Sequence, residues 1–88
     1  MADITPEQSR AARGLLNWTQ YDLADKAGVA HKTVVDFEGE NRAPRSGTLE
    51  VLRSALEKAG VEFIPENGSG PGVRLKKPAS KRKAKGRG

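Results

Sequence analysis

The tightest constraint on this chain is a break only three residues long. Gly28-Val29-Ala30 separates two short stretches, each with the spacing of a helix that buries one side. Before the break, Tyr21, Leu23, Ala24 and Ala27 recur at helical intervals behind Thr19, a residue type suited to an N-cap. Asp22, three places on, supplies the acid of a capping box. After the break, Val34 and Phe37, with Val35 beside them, mark a second helix over about 31–38 that Gly39 stops. Gly28 is free to take the left-handed backbone that ends a helix. A turn this short, with a glycine in it, forces the two helices to cross steeply.

Around this pair the pattern predicts two further helices and a strand pair. Thr5 caps the first helix, Pro6 suits its first turn and Gln8 completes a capping box. Ala11, Ala12, Leu15 and Leu16 carry it to about Leu16, although Gly14 costs about 1 kcal/mol relative to alanine. Asn17-Trp18 interrupts the pattern, with Trp18 expected to close the core between helices one and two. Ser46 is the cap candidate for helix four, where Leu49, Leu52, Ala55, Leu56 and Ala59 recur up to the stop at Gly60. The period then shortens: Val61–Ile64 alternates as a strand, Gly72–Leu75 is its partner, and Pro65–Pro71 is turn chemistry. A two-stranded ribbon is marginal alone. It is therefore expected to dock on helix four or to pair across a dimer, with the edge of Val61–Ile64 as the seam. From Lys76 onward the chain is expected to be disordered. The expected fold is mainly α: a compact four-helix domain over 1–60, a short C-terminal β-ribbon over 61–75 as candidate dimerisation element, and a disordered basic tail over 76–88.

Composition removes most other classes. Eighty-eight residues make one small domain, able to close a core but not to line a deep substrate pocket as well. Without cysteine there is no disulfide framework and no thiolate metal site. The single histidine, His31, argues against a zinc centre and against a Ser–His–Asp hydrolase. Apolar runs fall far short of the ~20 residues that span a bilayer, and no signal segment opens the chain. Gly68-x-Gly70-x-Gly72 has the wrong spacing for a dinucleotide site, and a strand follows it where a helix is needed. The expectation is a cytoplasmic binding module that is not an enzyme, holds no cofactor or metal and contacts no membrane. Its charge is unevenly placed. Residues 1–73 carry 8 Lys/Arg against 11 acids, while residues 74–88 carry the other 8 and no acid. If a body of that sign binds nucleic acid, it must do so through a local basic patch, with the tail adding affinity or serving only as a solubilising end.

The run from Thr19 to Gly39, TQYDLADKAGVAHKTVVDFEG, resembles the helix-turn-helix of the XRE/Cro-type transcriptional regulators, over roughly residues 4–60. The resemblance implies that helix three lies in the major groove with His31, Lys32, Thr33 and Asp36 at base edges. It implies that Gln20 meets the DNA backbone and braces the first reading residue, and that Arg42 and Arg45 contact phosphates. It also implies that Arg13 and Glu38 form a structural pair joining helix one to the end of helix three. Three positions depart from the family pattern: Ala30 replaces a capping Ser or Thr, Asp36 is an acid among readers, and Glu40 lies beside the contact loop. The function expected on this basis is a sequence-specific regulator, repressor-like, that binds double-stranded DNA as a homodimer. The alternative is an antitoxin-like module that also holds a protein partner through its C-terminal segment. A general nucleic-acid coating protein is disfavoured, because residues 74–88 contain no aromatic to stack on bases.

Overall fold

Two threonines start the first two helices in the same way. In the computed structural model, which describes residues 4–65 and 68–76, the Gln8 N–H donates to Thr5 Oγ1 at 3.0 Å and the Thr5 N–H donates to Gln8 Oε1 at 2.9 Å. Thr19 and Asp22 repeat the exchange at 3.0 and 2.8 Å. Both boxes satisfy amides that a helix N-terminus leaves unpaired. The elements are α1 (Pro6–Leu16), α2 (Gln20–Ala27), α3 (His31–Glu38), α4 (Ser46–Lys58), β1 (Val61–Ile64) and β2 (Gly72–Leu75).

The helix ends follow local chemistry. Asn17 closes α1 in the left-handed region at φ 60°, and Gly28 closes α2 at φ 72°. Gly39 ends α3 without a left-handed turn; that conformation falls instead on Glu40, at φ 61°. What Gly39 supplies is room. A Cβ there would stand 3.0 Å from the Val35 carbonyl and 3.2 Å from the Asn41 amide. The cap expected at Ser46 is displaced by one residue. Arg45 occupies the N-cap, its side chain makes no capping hydrogen bond, and Ser46 is the first helical residue.

The core is built from Leu23 and Ala24 of α2, Val34 and Phe37 of α3, Leu52, Ala55 and Leu56 of α4, and Val61 of β1, closed by Ile4 and Ala12. Trp18, half-buried, packs on its edge with the Lys26 ammonium 6.0 Å from its ring. Helix one departs from the expected face. Of its apolar residues only Ala12 is fully buried, while Leu15 is 43% exposed. The inward positions are taken by Gln8 and Ser9, polar residues with partners on the ribbon and on α3. Ala59, likewise read as part of the apolar stripe, is the exposed C-cap of α4.

The two strands pair antiparallel, with Val61 opposite Leu75 and Phe63 opposite Val73. Phe63 and Val73 turn toward the core, and Arg53 lies 5.9 Å from the Phe63 ring. On the other face Arg74 and Glu62 form an ion pair at 3.0 Å. The ribbon docks on its own chain and uses α1 as well as α4. The Gln8 side-chain amide donates to the Gly72 carbonyl at 3.0 Å and the Ile64 carbonyl at 3.4 Å, tying both strands to the first turn of α1. Lys76, read as the start of the tail, still has its N–H on the Gly60 carbonyl at 2.7 Å. The rest of the basic tail lies outside the described residues.

Candidate nucleic-acid interface

Helix three is fixed from its far end. Glu38, its last residue, is 2% exposed and would be costly to bury alone. Four donor groups meet it. Arg13 Nη2 donates to Oε1 at 2.7 Å, and Arg13 Nε lies 3.0–3.1 Å from both oxygens. Ser9 Oγ donates to Oε2 at 2.5 Å and Gln20 Nε2 to Oε1 at 3.2 Å. Burial pushes the Glu38 carboxyl upward, but the hydrogen bonds from Arg13, Ser9 and Gln20, with the Arg13 charge, together hold it below its ordinary range. Arg10 Nη1 donates to the Glu38 backbone carbonyl and so caps the C-terminus of α3. The structure thus brings Arg13 and Glu38 together within a larger cluster on α1, α2 and α3.

The near end of α3 opens onto a groove. Ala30, Lys32, Thr33 and Asp36 form one wall; Arg42, Ala43, Pro44, Arg45 and Thr48 form the other. Within it Lys32 Nζ and Asp36 Oδ2 are paired at 3.2 Å, an i,i+4 contact in which the lysine is 81% exposed. Such an exposed pair is worth about 1 kcal/mol or less, so Lys32 exchanges it readily for another acceptor. While the pair is made, Lys32 offsets the negative charge of Asp36 within the groove. Arg42 and Arg45 are exposed on the far wall. There the N-terminus of α4, with no side-chain cap, adds the positive end of a helix dipole.

His31 and Gln20 lie apart from this groove. The His31 ring stacks on Tyr21, and the Gln20 side-chain amide is spent on Glu38. The brace from Gln20 to the first residue of α3, implied by the resemblance, is not made in this structure. Four participants escaped the sequence reading: Ser9, Arg10, Tyr21 and Thr48. For Ser9 a signal was present, since it stands four residues before Arg13 and shares its helical face. Among the described residues, no group of three or more His, Cys, Asp or Glu gathers to hold a metal, and no helix is long and apolar enough to cross a membrane.

A short helix crossing a second after a glycine turn, with its opening residues on a cationic groove, defines a DNA-binding helix-turn-helix domain. The helix-turn-helix family model matches residues 10–63, and the chain belongs to that family, the XRE/Cro-type regulators. Comparison with curated proteins finds no match. The chain is thus a DNA-binding regulator of the helix-turn-helix type.

Proposed function

We propose that the protein is a sequence-specific transcriptional regulator that binds double-stranded DNA as a homodimer, with α3 in the major groove. One observation carries the reading: the groove joins Lys32, Thr33 and Asp36 of α3 to Arg42 and Arg45 of the following loop on one concave surface. Lys32 donates to guanine O6 and N7, Thr33 meets a thymine methyl or a phosphate, and Asp36 accepts from a cytosine amine. His31, at the first turn of α3, reads the neighbouring base. Arg42, Arg45 and the backbone amide of Gln20 at the start of α2 anchor phosphates, which position the domain without carrying sequence information. The basic residues beyond Lys76 add further phosphate contacts.

A dimer is proposed because one helix-turn-helix covers about one half-site, too little contact for the usual specific affinity. Half-site spacing in duplexes selected from a random library, with sedimentation of the full chain, tests this arrangement. The antitoxin-like alternative has less to stand on. Val61 is buried and Phe63 and Val73 pack on the core, so a protein partner is left Leu75 and the strand edges.

The reading is tested by comparing Lys32→Ala with Arg45→Ala on the selected duplex and on a mismatched one. Lys32→Ala should cost about 1–3 kcal/mol on the best site and little on the mismatch. Arg45→Ala should weaken both alike and lower the salt slope by about one unit. Matching profiles for the two variants would mean that α3 reads no bases.

A further inference from the structure

The Tyr21 ring lies flat on the His31 ring, with centroids 3.6 Å apart and planes within 6° of parallel. Tyr21 is the second residue of α2 and His31 the first of α3, so the stack bridges the two helices where α3 begins. Tyr21 gives little to the core, being 67% exposed. Among the described residues its hydroxyl makes no hydrogen bond; the stack is its one specific contact. An imidazole on a free rotor presents its two nitrogens in many directions, whereas a base edge is read only from one. The other side chain placed to restrain His31, that of Gln20, is committed to Glu38.

We propose that Tyr21 is a positioning residue for base recognition: its ring holds the His31 imidazole in one orientation before DNA arrives, and so sets selectivity at the base pair His31 meets. This rests on the reading of α3 as the recognition helix. It shifts to an aromatic stack the bracing that the resemblance implied for Gln20, and removes an ordering cost from binding.

The test uses the full chain, a duplex selected from a random library and a scrambled duplex of the same length. Tyr21→Ala should weaken the selected duplex by about three- to tenfold, as expected for one side chain left to reorder on binding. It should change the scrambled duplex by less than about twofold and leave the melting temperature in place, as an exposed residue should. Tyr21→Phe should keep wild-type affinity. In a His31→Ala background, Tyr21→Ala should have no further effect. The His31 ring protons, shielded by the tyrosine face in the free protein, should move downfield in Tyr21→Ala and stay put in Tyr21→Phe. A Tyr21→Ala loss that persists in the His31→Ala background, or no loss at all, overturns the proposal. If His31→Ala leaves selectivity intact while Lys32→Ala reduces it, the brace is refuted and the groove reading stands. If neither changes selectivity, both fall.

Discussion

Glu38→Ala tests whether the carboxylate cluster holds α3 in place. The Glu38 side chain is 1% exposed and its partner Arg13 18% exposed. Removing the carboxylate strands the Arg13 guanidinium, the Ser9 hydroxyl and the Gln20 amide at once. Breaking a fully buried ion pair costs about 3–5 kcal/mol. Arg13 keeps one bond, to the Trp18 carbonyl at 3.1 Å, and some access to water, which lowers the expected cost to about 2–3 kcal/mol. For a domain of this size that is a drop in melting temperature of roughly 10–20 °C. Urea unfolding followed by circular dichroism reads it as a lower midpoint at constant slope. A double variant, Arg13→Met with Glu38→Leu, should recover much of the loss, since an apolar pair of similar volume leaves no stranded charge. The pH dependence follows from the lowered carboxyl. Its stabilisation is complete above the usual value near 4.5 and is lost as pH falls through the lower folded-state value. Glu38→Ala should therefore lose least, relative to wild type, in acid. A Glu38→Ala midpoint within about 0.5 kcal/mol of wild type would remove the cluster from the account of stability.

Gln8→Leu deletes the side-chain half of the capping box and both bonds to the ribbon, and should cost about 1–3 kcal/mol by the same urea assay; an unchanged midpoint would mean that packing alone holds the ribbon. Glu40→Gly relieves a left-handed residue and should raise stability by about 0.5–1 kcal/mol. By removing a negative charge beside Arg42, it should also tighten binding to scrambled DNA, and weaker binding would count against a phosphate contact there. Removing residues 77–88 deletes six cationic side chains and should flatten the salt dependence of binding; equal slopes with and without them would show that the tail never reaches phosphate.

What the sequence discloses here is whatever is local. Thr5 with Gln8, Thr19 with Asp22, and Gly28 each act on backbone within a few residues, so the helix starts and the tight turn can be read directly from their spacing. The alternation of Val61–Ile64 and the turn chemistry after it are equally local. Legibility fails where a residue answers to distant partners. Gln8 reads only as a local cap and Ser9 carries no reading, yet both face inward because Gly72 and Glu38 wait for them 64 and 29 residues away. The position of Gln20 points to DNA, while its side-chain amide goes to the buried Glu38 carboxylate. Residue type points to Ser46 as the cap of α4, while the backbone turns at Arg45. Tyr21 reads as part of the buried stripe of α2, yet it is 67% exposed, because its partner His31 lies across the turn on another helix.

The attachment of Gln8 to both strands has a bearing on the order in which the molecule assembles. Helices α2 and α3 meet across a loop of three residues, so their union can form early and often. The bond from Gln8 to the Gly72 carbonyl closes a span of 64 residues, and loop closure of that length must be repaid by contacts made afterwards. The ribbon and the first turn of α1 are then the last region to join and the first to open. Amide protons of Glu62 and Arg74, a hydrogen-bonded pair of the ribbon, should exchange with solvent through partial openings that leave those of Leu23 and Val34 protected. The α2–α3 pair thus stays intact through excursions in which α1 and the ribbon briefly part.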